Sequence, residues 1–164
     1  MKKVSGRVYI LGDDINTDDI IPSHTLTLRD PVEMSKFTLE FIDPDFTNKV
    51  NERNIILAGD NFGTGSSREE AVNVFKILGI KAIIAKSFAR IYFRNLINNG
   101  IPAISLEWQE NQFSNGDKIT IDLLGGKIYN EAKQVSINFE KLPEFLRKIL
   151  QAGGSLELIK KKIS

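Results

Sequence analysis

The chain has 164 residues, of which 41% are hydrophobic and 26% charged, with a formal net charge of +1. That length can bury a real core and is most simply one domain, taken as residues 1–164. The near-neutral balance gives no reason to expect nucleic acid or an anionic membrane as main partner; zero cysteines exclude disulfides, a thiol nucleophile and an iron–sulfur cluster on the chain's own thiolates.

The opening MKKVSGRVYILG carries two lysines but no sustained apolar stretch, so no secretory leader is expected. No apolar run approaches the roughly 20 residues of a membrane span, and the cytoplasm is the expected compartment. Val4 to Leu11 alternates loosely and reads as a strand ending at Gly12. A turn-rich stretch follows, and IIPSHTLTLRDP, bracketed by Pro22 and Pro31, reads as an ordered loop. Asp14, Asn16 and Asp18 imitate the start of a calcium-binding loop, but Asp19 stands where glycine is needed and Thr25 where a bidentate glutamate is needed. Turn chemistry and contact with a partner are the better reading there. Met34, Phe37 and Phe41 have helical spacing and predict a short helix over 32–42, which DPDF ends.

The middle of the chain is clearer. NIILAG (54–59) is an apolar, β-branched run typical of a buried strand. SSREEAVNVFKILG then places Ala71, Val74, Phe75 and Leu78 on one helical face, with Gly79 as its stop. IKAIIAKS is a second strand. FARIYFRNLINNG is a second helix, with Phe88, Ile91, Tyr92 and Leu96 inward and Gly100 as its stop, and IPAISL is a third strand. Two successive βαβ units imply a parallel sheet with right-handed crossovers. After Trp108 two strand-like runs flank Gly125-Gly126, a hairpin signal. Helices are predicted over 142–150, starting near Pro143, and over 156–163, where Lys160, Lys161 and Lys162 form a solvated end. The expected class is α/β: a parallel βαβαβ core with an appended antiparallel hairpin and C-terminal helices.

GDNFGTGSSRE (59–69) sits where the first buried strand ends and the first clear helix begins, the place where an open α/β sheet puts its ligand crevice. Ser66 with Glu69, and Ser67 with Glu70, both satisfy the S-x-x-E capping pattern, so the helix is expected to start at the serines. Its free N–H groups and a dipole of roughly half a positive charge would favour a bound anion. Gly63 and Gly65, on either side of Thr64, let the backbone bend and approach a ligand, and Arg68 adds a planar fork suited to a carboxylate or phosphate. A Walker A loop is excluded because no lysine follows, and a dinucleotide fingerprint because Arg68 stands where a third glycine is required. The single histidine, His24, reads as a loop surface residue and leaves a serine–histidine triad without support. On spacing alone, a plain capped helix after a tight turn stands beside the anion site.

GDNFGTGSSREEAV, GIKAIIAKSFARIYFRN and GIP together resemble the small swivelling domain of the aconitase superfamily, and GDDINTDDIIP resembles its opening segment. The resemblance covers about residues 4 to 160. The length is similar to that of free-standing small subunits in the superfamily's two-subunit dehydratases. Those enzymes isomerise isopropylmalate in leucine biosynthesis or, in the homoaconitase branch, act on homocitrate-type acids. The resemblance implies a β/β/α swivelling domain and a hydro-lyase half-enzyme with a small hydroxy-dicarboxylate substrate. It implies no metal on this chain and a 4Fe–4S cluster on a large partner subunit; self-association of the isolated chain is left open. It further implies Ser66 as the base, in alkoxide form, Arg68 as the carboxylate-binding residue, and Ser67 as an aid to substrate binding. Arg90 and Arg94, matching SFARI-x-x-RN, would buttress the site through ion pairs. The alternative from another class is a stand-alone anion-binding module that is no enzyme.

In this superfamily, substrate choice falls to the loop after the TDDIIP-like segment, here SHTLTLRDP (23–31). Homoaconitase-like members have YLRT in this loop. Aligned without a gap from Pro22, those positions fall on Thr25, Leu26, Thr27 and Leu28, with Thr27 at the arginine's place. Leu26, Thr27 and Leu28 suit a branched apolar group such as isopropyl, which would leave an arginine buried and unpaired. A shifted loop brings Arg29 into the site instead and favours a homocitrate-type acid. Both readings stand at this point.

Overall fold

In the computed structural model, which describes residues 3–163, the four apolar stretches of the N-terminal two-thirds form adjacent strands. In chain order the elements are β1 (Lys3–Ile10), α1 (Thr17–Ile20), a 3-10 turn (Ser23–Thr27), α2 (Pro31–Ser35), α3 (Phe46–Lys49), β2 (Ile55–Ala58), α4 (Glu70–Ile77), β3 (Ala82–Ala85), α5 (Arg90–Asn98) and β4 (Ala103–Ser105). A second 3-10 turn (Glu110–Gln112) leads to β5 (Lys118–Asp122), β6 (Lys127–Asn130) and β7 (Val135–Asn138), and α6 (Glu144–Ala152) and α7 (Ser155–Ile163) follow. The sheet runs β4-β3-β2-β1-β5-β6-β7. The first four strands are mutually parallel, with Ile55 opposite both Val8 and Ala82, and the rest pair antiparallel outward from β1.

Every residue of β2 and β3 is buried, as expected of strands covered on both faces. On one face Ile56, Ala58, Ile83, Ala85 and Ala103 pack with Phe75 of α4, Leu96 of α5 and Leu150 of α6. On the other, Ile55, Leu57, Ala82, Ile84 and Ile104 pack with Ile119, Ile121 and Ile128. The sheet therefore curls, so that its antiparallel half covers the back of its parallel half. Trp108 joins this second core, and its Nε1 donates to the Ala58 carbonyl at 2.7 Å.

Three expectations need correction. The run after Gly126 is not one strand: Gln134 adopts φ +54° in a turn that separates β6 from β7, so the appended hairpin has three strands. The helix over 32–42 ends at Ser35. Leu39 adopts φ +57°, which no helix continues, and its N–H donates to the Ile20 carbonyl at 3.1 Å; this buries Leu39 and leaves Phe41 72% exposed. In α5, Ile91 is 58% exposed. The helix begins only after extended Ala89, so Phe88 is outside its register and Tyr92, Leu96 and Ile97 form the inner face.

Candidate active site

The loops leaving β1, β2 and β3 meet at the C-terminal edge of the parallel strands. Gly59 N–H donates to Gly12 O (3.1 Å), Gly63 N–H to Ile15 O (2.7 Å) and Thr17 N–H to Thr64 O (2.8 Å). On the other side Phe62 N–H donates to Ser87 O (3.0 Å) and Ala89 N–H to Phe62 O (2.9 Å). Most polar residues of this turn-rich stretch are spent on turns, whereas Asp18 of the calcium-loop imitation pairs with Arg68 at 3.3 Å. Asp13 accepts from Asp60 N–H (2.8 Å), Asp14 from Asn61 Nδ2 (2.9 Å), and Asn16 and Asp19 cap α1 reciprocally. Among the described residues no group of three or more His, Cys, Asp or Glu could hold a metal.

Two glycines are required by shape. Gly63 has φ +86°, and a Cβ there would lie 2.3 Å from the Tyr92 ring; Gly65 has φ +102°, with Thr17 Oγ1 2.9 Å from where its Cβ would be. Tyr92, in turn, donates its hydroxyl to the Ala71 carbonyl at 2.6 Å, and burial pushes its phenol well above the ordinary value. One buried side chain thus supports the turn from below and ties it to the first turn of α4.

The serines do not cap that helix. α4 starts at Glu70 with Glu69 at its N-cap, and no side chain caps it, so neither S-x-x-E pattern forms. The chain from Gly65 instead makes a tight link, in which Arg68 N–H donates to Ser66 O at 2.9 Å. The dipole argument weakens accordingly, because Ser66 lies four residues ahead of the helix. Ser66 and Ser67 are exposed, and neither hydroxyl has a hydrogen-bond partner among the described residues. Thr64 is half-buried between the two glycines.

Arg68 is the centre of the electrostatics. Its Nη1 is 3.3 Å from Asp18 Oδ1, yet that nitrogen is buried without a hydrogen bond of acceptable geometry. Thr17 Oγ1, beneath Gly65, is likewise buried and unpartnered. Both atoms are buried without a hydrogen-bond partner at the edge that carries the exposed Ser66. Thr17 and Asp18 were missed as site residues; the available signal was their place in TDDII, read only as turn chemistry.

The 22–31 segment reaches the same region from the other side. Leu26, Leu28 and Arg29 line a cavity of about 260 Å³ with Met34 of α2 and with Glu70 and Asn73 of α4. Thr27 does not line it: the residue is exposed, and its hydroxyl donates to the His24 carbonyl at 3.3 Å. His24 contacts Glu40 through Nε2 and meets the edges of Phe37 and Phe41, so it pins the loop rather than facing the serines. Arg90 and Arg94 form no ion pair among the described residues, contrary to the expected buttress. The Arg90 and Arg94 side chains instead line a groove between α5 and α6.

The family described as the aconitase C-terminal domain matches residues 13–110, which contain both loops of the site. The chain belongs to that family. Within it, the likeness over nearly the whole length is to 3-isopropylmalate dehydratase small subunits. Small subunit 1 from Methanopyrus kandleri is 43% identical over 97% of this chain and 94% of its own, and the small subunit from Thermodesulfovibrio yellowstonii is 43% identical over 99% and 96%. The crystal structure of a 3-isopropylmalate dehydratase, leuD, from Methanocaldococcus jannaschii superposes with a TM-score of 0.90 at 43% identity, covering 98% of this chain and 95% of that one.

Proposed function

We infer that the chain is the small subunit of a 3-isopropylmalate dehydratase and supplies the base and the carboxylate grip for moving a hydroxyl between neighbouring carbons. The observation that carries this is the exposed, unpartnered Ser66 two residues from a guanidinium that is held by an ion pair to the exposed Asp18 (3.3 Å) and makes no hydrogen bond through its buried Nη1. Arg68 would release Asp18 and take a substrate carboxylate in its place, with Ser67 assisting. Ser66 Oγ then removes a proton from the carbon next to that carboxylate. The electron pair forms the C=C bond as the C–O bond of the neighbouring carbon breaks and hydroxide departs. Rehydration reverses these steps with the two carbons exchanged.

With no cysteine, the chain's residues do not fit an iron–sulfur cluster. We assign the Lewis acid that assists hydroxide departure to a 4Fe–4S cluster on a large subunit covering this edge. The Arg68 charge, felt more strongly where that cover lowers the dielectric, would favour the serine alkoxide against the cost of desolvating it. No helix among the described residues is long and apolar enough to cross a membrane, and the proposed compartment is the cytoplasm.

The cavity wall of Leu26, Leu28 and Met34 suits an isopropyl group. Arg29 on the same wall is the specific observation favouring a second reading, a homocitrate-type tricarboxylate. A substrate panel on the anaerobically reconstituted pair decides between them. Isopropylmalate is expected to turn over fastest, and Arg29→Leu to change its kcat/KM by less than about threefold. Leu28→Arg is expected to lower it about 100-fold by placing a charge against the branched group. If homocitrate-type acids win and Arg29→Leu abolishes their turnover, the substrate assignment fails while the dehydratase reading stands.

A further inference from the structure

We propose that the groove between α5 and α6 is the seat on which an acidic, apolar-tipped segment of the large subunit docks. This rests on the two-subunit reading above. The groove encloses about 280 Å³; its floor is Phe93, Leu146 and Ile149, and its rim carries Arg90, Arg94 and Phe145.

Three observations favour this occupant. Arg90 and Arg94 are one helical turn apart on α5 and exposed, and neither has a carboxylate partner among the described residues. Glu144, which precedes Phe145 on α6, is held by Lys148 at 3.6 Å. Two forked donors with no internal acceptor call for carboxylates from elsewhere. Phe145 is 64% exposed at the same rim, while Phe93 beneath is packed edge-on against Phe88 at 5.4 Å. An exposed aromatic beside arginines is the composition that anchors protein interfaces.

Position supplies the third. α5 begins next to Ala89, whose N–H is bonded to Phe62, four residues ahead of Ser66. The Arg90 end of the groove therefore lies near the sheet edge from which the serine loop departs, and a chain seated in it would reach toward that edge. The expected ion pairs of Arg90 and Arg94 are missing among the described residues because, on this assignment, their partners belong to the other polypeptide.

The test measures affinity of the full-length chain for the cluster-loaded large subunit of the 3-isopropylmalate dehydratase from the same genome, by biolayer interferometry under anaerobic conditions. Arg90→Glu/Arg94→Glu is expected to weaken binding about 10- to 100-fold and to flatten its salt dependence. Arg90→Lys/Arg94→Lys is expected to recover most of it, and Phe145→Ala to cost about tenfold. Lys118→Glu/Lys127→Glu, an equal change of net charge on β5 and β6, is expected to shift binding less than threefold. Circular dichroism melts establish that each variant is folded. Equal binding by Arg90→Glu/Arg94→Glu and wild type overturns the docking seat but leaves the two-subunit reading intact. Failure of the wild type to bind overturns both. Loss of a homodimer by the charge reversal, with binding of the large subunit unchanged, assigns the groove to a second copy of the chain and also overturns the proposal.

Discussion

The two halves of the sheet differ in where a buried polar atom is left without a hydrogen bond. In the antiparallel half Asn130 is completely buried, and both ends of its amide are paired. Nδ2 donates to Gln112 O and Asp117 Oδ2, each at 2.9 Å, and Oδ1 accepts from Lys133 N–H at 3.2 Å. In the parallel half, Thr17 Oγ1 and Arg68 Nη1 are buried without partners at the edge where the loops meet. The other two such atoms among the described residues, Asn54 Oδ1 and Arg147 Nε, also lie outside the antiparallel strands. A satisfied network fixes a fold, whereas an unsatisfied one is strain that a ligand can relieve. On the proposed function, the unpaired atoms at this edge are the ones a ligand would engage.

Substitutions should separate the two. Ser66→Ala is expected to lower kcat of the reconstituted enzyme by about 10³-fold or more, with the melting temperature of the isolated chain and its affinity for the large subunit unchanged. Retained turnover would remove Ser66 as the base. Arg68→Lys should reduce kcat/KM about 100-fold by losing the planar fork, yet leave stability within about 0.5 kcal/mol, because its ion pair is to an exposed carboxylate, Asp18, and a lysine keeps the charge. Asn130→Ala should do the reverse. We expect a loss of about 2 kcal/mol in urea unfolding, since the Gln112 carbonyl and Asp117 lose their donor, with kcat of the assembled enzyme unchanged. A fall in kcat without a loss of stability would erase the contrast.

The smallest expected effect concerns Tyr9, on the strand the two halves share. Its hydroxyl donates to Asp43, and that bond, ahead of other causes, holds the Asp43 carboxyl below the usual carboxylate range. A depressed folded-state value means the contribution is complete above the unfolded value of about 3.9 and is lost as pH falls through the folded one. Tyr9→Phe should therefore cost about 1 kcal/mol at neutral pH and make the acid limb of the stability curve shallower. Identical acid limbs in both proteins would show that Asp43 is tuned by something else.

The sequence made much of the fold legible because the signals were local and repeated. The four-residue strands Ile55–Ala58 and Ala82–Ala85 are wholly apolar, and Gly79 and Gly100 adopt positive φ where the helices stop. It misled where one residue decides the path. Leu39 and Gln134 take left-handed conformations that neither propensity nor period announces, and each redirects its segment. At the candidate site, the structure changes the reason for which GTGSSRE stands out. The capping pattern pointed to a helix start, but the tight link from Gly65 to Arg68 spends those residues before α4 begins. Asp18 and Thr17 were out of reach because their importance arises from Arg68 and Gly65, roughly fifty residues away in sequence and adjacent only after β1 and β2 pair.

Trp108 is the chain's single tryptophan, and its indole N–H is bonded to the last residue of β2, at the foot of the turn that leads to the serines. The Lys86 ammonium lies 4.9 Å above its ring, on the β3 loop that completes the same edge. Nature has thereby installed one optical probe where the loops converge. Its emission offers a label-free readout of whether a second subunit covers them, as the proposed function requires.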